Sequence, residues 1–221
     1  ANNLALNYTI SRNSVSDPIF PVWGSNVTLS VKATPPYSAF RGQEDAYYED
    51  LTDEDRFRWV EYHKWKLKAE WYTPLTQSAG ENPRSLVLRT HMGIGLIGQY
   101  NRSVGLSPFE RFYLGGVYLS GYVLDGREIV NLRGFDDLSL TRPNQDTGAP
   151  VIAKYGAELR YPLSTNPSAT IYVMGFLDAG KTWSNARDFN PFEVYRSAGV
   201  GMRIFLPMFG LLGLDYGWRL D

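Results

Sequence analysis

His63-Lys64-Trp65-Lys66-Leu67-Lys68-Ala69-Glu70-Trp71 is a strand with two chemically opposed faces. His63, Trp65, Leu67, Ala69 and Trp71 share one parity, while Lys64, Lys66, Lys68 and Glu70 share the other. That is the period of two expected when successive side chains point to opposite sides of a sheet. Outward from this stretch the pattern recurs. Leu4, Leu6, Tyr8 and Ile10 alternate with Asn3, Ala5, Asn7 and Thr9, and Val27, Leu29, Val31 and Ala33 alternate with polar residues. Leu88, Met92, Ile94 and Leu96 oppose Arg89, His91, Gly93 and Gly95, and residues 152–161, 170–180, 197–206 and 211–220 behave alike. The spacing therefore predicts about eight strands. Their charges fall on one parity: Lys32, Lys64, Lys66, Lys68, Glu70, Arg89, Lys154, Glu158, Arg160, Asp178, Arg203, Asp215 and Arg219.

Totals decide less than arrangement. The chain has 221 residues, 43% of them apolar, and a net charge of −1. No apolar run approaches the roughly 20 residues of a membrane helix, and the first ten residues lack the basic and apolar regions of a signal peptide. The absence of Cys suits an oxidising compartment. With 14% aromatics, 21 Gly and 13 Pro, the composition favours many strands joined by turns.

Alternation alone fits a soluble sandwich as well as a membrane barrel. Two features favour the barrel. Connections at one end are short or moderate and carry Pro18, Pro21, Pro74, Pro83, Pro162, Pro167 and Pro207, whereas those over 35–58, 102–151 and 181–196 are long; short turns on one rim and long loops on the other are habitual in outer-membrane barrels. Trp23, Trp71, Tyr72, Tyr161, Trp183, Phe205 and Trp218 stand where strands meet loops, as in the aromatic girdles of such barrels. Backbone groups in lipid must all be paired, so the only sheet that can span is a closed one. The expected fold is an all-β, transmembrane antiparallel barrel.

The connection over 102–151 holds Phe112-Tyr113-Leu114-Gly115-Gly116 and then Leu132-Arg133-Gly134-Phe135. Ala157-Glu158-Leu159-Arg160-Tyr161-Pro162 and Phe176-Leu177-Asp178-Ala179-Gly180 follow. In this order the elements resemble those of the BamA-type outer-membrane protein assembly factors, in the insertase superfamily that joins periplasmic POTRA domains to a barrel. The resemblance covers almost the whole chain; over the first two strands it rests only on a general pattern around Phe20-Pro21 and Gly24.

It implies that the long loop folds back into the lumen and that Arg133 is held by Asp178 and Glu158, both on the charged parity. It also implies that residues 1–221 are the C-terminal part of a barrel of about sixteen strands, with the POTRA domains and remaining strands outside this chain. An Arg fork suits a carboxylate bidentately; Gly134 would allow a sharp turn or a close approach, and Phe135 would pack against the barrel interior.

Other chemistry finds little support in the residues. His63 falls on the lipid-facing parity near a rim and His91 among luminal glycines, and neither sits in a nucleophile motif. No catalytic residue, cofactor or metal is expected; two His and no Cys make no transition-metal site. The acids Glu44, Asp45, Glu49, Asp50, Asp53, Glu54 and Asp55 could attract a divalent cation, but such runs are more often solvated loops. Asn101-Arg102-Ser103 is formally a glycosylation sequon.

The resemblance implies assembly of β-barrel proteins into the outer membrane of a Gram-negative bacterium, without covalent chemistry. The implied partners are unfolded outer-membrane proteins, accessory assembly lipoproteins and outer-membrane lipid, with no nucleic acid. Long loops would be extracellular and short turns periplasmic. Two alternatives stay open: a polypeptide-secreting relative, and a passive solute channel with the loop as its constriction.

Overall fold

The computed structural model describes residues 1–76, 84–116, 128–136, 139–141 and 147–221. Pro83 and the side chain of Asp45 lie outside the described residues.

Eight strands form one antiparallel sheet: β1 (Leu6–Asn13), β2 (Gly24–Ala33), β3 (His63–Pro74), β4 (Val87–Gly98), β7 (Val151–Asn166), β8 (Ala169–Trp183), β9 (Tyr195–Leu206) and β10 (Gly210–Arg219). They pair in chain order, with β4 and β7 adjacent across the longest connection. That connection contributes a separate parallel pair, β5 (Phe112–Gly115) and β6 (Glu128–Asn131). Among the described residues β1 and β10 remain the two edges of the large sheet.

The period of two in the sequence becomes two faces in space. Along β8 the residues Thr170, Tyr172, Met174, Phe176 and Asp178 are buried on one face; the β1–β2 connection covers Tyr172 through Phe20, and the long loop covers Phe176 and Asp178 through Arg133. On the opposite face Leu177 is 58%, Val200 55% and Tyr216 71% exposed. A continuous apolar face of this kind would be costly in water and is what a lipid-facing wall requires. Among the described residues no helix is long and apolar enough to cross a membrane.

Register places the charges in rows on the inner face. Lys32 stands opposite Lys64, Arg89 opposite Glu158, and Asp178 opposite Gly156. The β9–β10 turn shows how local sequence closes a hairpin: the N–H of Phe209 donates to the Leu206 carbonyl at 2.9 Å. Gly210 then takes φ +78°, a left-handed conformation that glycine adopts without steric cost.

Several expectations need correction. Pro162 lies inside β7 rather than in a turn, at a register shift between Pro162 and Ser164, where a missing N–H is tolerated. Tyr72 and Phe205 fall on the inner parity and are not girdle residues; Tyr72 turns its hydroxyl to Glu70 at 2.7 Å. Trp183 is only 4% exposed, packed edge-on against Phe189 with ring centroids 4.9 Å apart, because the 184–194 connection folds over it. Trp23, Trp71, Tyr161 and Trp218 are exposed at strand ends.

The 34–62 connection holds three short helices, α1 (Tyr37–Arg41), α2 (Asp45–Glu49) and α3 (Asp53–Arg56). In α3, Thr52 caps the N-terminus, accepting from the N–H of Asp55, and Asp53, Glu54 and Asp55 form the first turn. Three of the seven acids of the run thus sit where a helix dipole favours negative charge.

Candidate functional site

The β5–β6 ribbon lies against the inner wall. Phe112 and Ala149 exchange backbone hydrogen bonds of 2.9 and 2.8 Å, and the N–H of Leu132 donates to Gly115 at 2.8 Å. Apolar side chains complete the seat: Phe112, Leu114, Leu132, Phe135 and Leu140 of the loop cluster with Ile152 of β7. Phe135 also meets the ring of Tyr195, with centroids 6.2 Å apart.

Glycines decide how closely the loop approaches. A methyl group on Gly95 would stand 2.5 Å from the ring of Phe112, and one on Gly116 would stand 2.1 Å from the carbonyl oxygen of Phe135. The two loop motifs seen in sequence therefore touch, and the N–H of Gly116 donates to Asp136 at 2.9 Å. Gly134 has φ +87°, and a Cβ there would lie 3.1 Å from the backbone of Trp218, so both conformation and space call for glycine. Tyr113 is buried, its ring beside Gly148.

Arg133 emerges from the tip of this arrangement into an acidic grip. Its Nε donates to Asp178 Oδ2 at 2.7 Å. Its Nη2 donates to Asp178 Oδ1 and to Glu158 Oε1, each at 2.9 Å. The guanidinium carbon lies 3.6 Å from the centre of the Phe176 ring, a stacking contact that Lys could not reproduce. Burial alone would lower the Arg133 pKa, but the Asp178 carboxylate outweighs it and the pKa is raised. Asp178, Glu158 and Phe176 project from adjacent strands in register, Glu158 opposite Phe176.

Glu158 is shared by three arginines: Arg133, Arg89 at 3.0 Å and Arg160 at 2.5 Å. Arg89 continues to Glu70 at 3.1 Å. His91 stands 3.8 Å from Asp178, and Lys154 bonds the Asn131 carbonyl of the loop. These charges border a luminal cavity of about 340 Å³ between wall and loop.

A second anchor was missed in the sequence. Glu110 takes Lys32 at 2.5 Å and Lys64 at 3.3 Å, and Glu128 takes Lys64 at 2.6 Å and Lys66 at 3.1 Å. Lys64, 2% exposed at its side chain, also lies 4.6 Å from the Phe112 ring centre. The signal was present: β2 and β3 carry four lysines on the inner parity and only Glu70 among their acids there, so neutralising carboxylates had to come from elsewhere. Burial by itself would raise both loop acids, yet hydrogen bonds from Lys32 to Glu110 and from Lys64 to Glu128 hold them below the ordinary Glu range. His63 accepts a hydrogen bond from Trp65 at 3.1 Å.

The Omp85 superfamily domain matches residues 1–221. Among solved structures, the chain is similar to BamA from Haemophilus ducreyi lacking POTRA domains 1–3, with a TM-score of 0.66 and 20% identity. The match covers 98% of this chain and 39% of that one, so the chain spans well under half of the structure it resembles. No curated protein matches it in sequence.

Proposed function

The chain belongs to the Omp85 superfamily and is built as an outer-membrane β-barrel sheet, and on that premise we propose that it serves the insertion of β-barrel proteins into the outer membrane. It would be the C-terminal portion of a larger barrel, with POTRA domains and further strands elsewhere in the protein. The observation that carries this reading is the inward loop, held by Arg133 on Asp178 and Glu158. Such a loop occupies the lumen and leaves the strand edges as the working surface.

The reaction involves no covalent step. An unfolded barrel protein carries unpaired N–H and C=O groups that lipid cannot satisfy. A barrel edge offers a pairing template by β-augmentation, which lowers the barrier to adding the next strand. The residues of this chain stabilise the wall and keep the loop seated while that edge works. The partners in this reading are unfolded outer-membrane proteins and accessory lipoproteins, with long loops outside the cell and short turns in the periplasm.

The test is depletion of the full-length protein in cells, followed by complementation. Loss of several unrelated barrels from the outer membrane, restored by the wild-type gene and not by Arg133→Ala, is the expected result. Loss of one secreted polypeptide alone would favour a secretion relative. A stable solute conductance with normal barrel assembly would favour a channel.

A further inference from the structure

The β1–β2 connection does not stay at the rim. Asp17 Oδ1 accepts the N–H groups of Ile19 and Phe20 at 2.7 Å each, and Ser16 Oγ accepts those of Val22 and Trp23 at 2.9 and 3.3 Å. These bonds fold residues 14–23 into a compact turn with Phe20 at its tip, only 6% exposed. Phe20 packs with Val87 of β4 and Tyr172 of β8, against Val22 and Tyr72. Its ring centroid is 5.1 Å from that of Tyr172. In the sheet order β3, β4 and β7 lie between β2 and β8, so the turn reaches across the inner face at the short-turn end.

Below Phe20 the contacts run on to the loop by two routes. On one, Arg160 lies between the rings of Tyr72 and Tyr172, 5.6 and 5.4 Å from their centres, and bonds Glu158. On the other, Tyr72 bonds Glu70, Glu70 bonds Arg89, and Arg89 bonds Glu158. Glu158 then holds Arg133 of the loop.

We propose that residues 14–23 are a strap across the short-turn end of the lumen, and that its seating is coupled to that of the Arg133 loop through Glu158. The physical reason is that both routes converge on one carboxylate. When Phe20 leaves, the stacked Arg160 and the Tyr72–Glu70–Arg89 chain lose their packing wall, and Glu158 is free to re-pair away from Arg133. Linkage makes the effect reciprocal. A pull on the strap from the periplasm would loosen the loop, and release of the loop would loosen the strap. Phe20 is a positioning residue in this scheme.

The chain has no Cys, so single cysteines can report each end in the full-length protein reconstituted in liposomes. Val22→Cys reports the strap and Ala149→Cys the loop base, each by its rate of maleimide labelling, with heat-modifiable gel mobility showing that the barrel is folded. Phe20→Ala should speed labelling at position 149, and Arg133→Ala should speed it at position 22, each by about 5-fold or more. In a Glu158→Gln background both cross-effects should vanish. If Phe20→Ala does not fold, Phe20→Leu replaces it, and the Arg133→Ala experiment tests the same coupling from the other end. Acceleration confined to the mutated end, or cross-effects that persist in Glu158→Gln, would overturn the proposal.

Discussion

Arg133 and Asp178 meet in a two-point contact, Nε to Oδ2 at 2.7 Å and Nη2 to Oδ1 at 2.9 Å. The contact joins the tip of a loop to the middle of a wall strand 45 residues later. It has the fork geometry that fixes orientation as well as distance. Removing Asp178 leaves Arg133 with Glu158 alone at hydrogen-bond distance, and removing Arg133 leaves Asp178 with His91 and Lys154 only at 3.8 Å, so Arg133→Ala and Asp178→Ala should each weaken loop seating by about 1–3 kcal/mol. Arg133→Lys should recover little of it, since an ammonium cannot make both bonds and stack on Phe176. Protease resistance of the loop in the folded barrel is the measurement, and wild-type resistance in both Ala variants would refute the role.

The second anchor separates two neighbouring lysines. Lys64 sits between Glu110 and Glu128, whereas Lys68, four residues on, is exposed on the same face. Lys64→Ala should loosen the loop by roughly 1–2 kcal/mol, because it removes the buried ammonium that bridges the two acids and donates to the Glu110 carbonyl, leaving Glu110 with Lys32 and Glu128 with Lys66. Lys68→Ala should change it by less than about 0.5 kcal/mol. Equal effects in the same protease assay would show that the lysine stripe acts only as a diffuse field.

Acid should release the loop at this anchor. Glu110 and Glu128 are held below the ordinary Glu range by their lysine partners, against burial. A carboxylate depressed on folding adds stability above its unfolded value and loses it as pH falls through the folded one. Loop protection should therefore be flat from neutral pH down to the ordinary carboxylate range and fall below it. The double variant Glu110→Gln, Glu128→Gln should start lower and fall less steeply; a slope identical to wild type would remove these two acids from the explanation.

Two luminal glycines, two residues apart on β4, should respond differently to a methyl group. A methyl group on Gly95 would lie 2.5 Å from the Phe112 ring and 2.9 Å from Ile152, whereas one on Gly93 would meet nothing within 4 Å. Gly95→Ala should destabilise the seated loop by about 1–3 kcal/mol through overpacking. Gly93→Ala should be close to neutral. Thermal unfolding followed by gel mobility, together with loop proteolysis, distinguishes them.

Much of this architecture is determined by local sequence. Alternation such as that of His63 to Trp71 sets which face of each strand meets lipid, because a strand's side chains have no choice but to alternate. The eight strands could therefore be read directly, as could the ordered motifs around Arg133, Glu158 and Asp178. The structure alone decided everything that depends on which strands lie beside which. Glu158 becomes a junction for Arg89, Arg133 and Arg160 only when β4, β7 and the loop converge. Glu110 and Glu128 become anchors only when the loop folds onto β2 and β3. Tyr72, Phe205 and Trp183 looked like girdle residues because of their rim position; the first two share the inner parity of Glu70 and Arg203 on the same strands, and the cover that the 184–194 connection lays over Trp183 is not visible in sequence. Phe20 gives the clearest case. Nothing near it in sequence indicates Tyr172, some 150 residues away, because that contact exists only once the sheet has curved and brought the two rings to 5.1 Å.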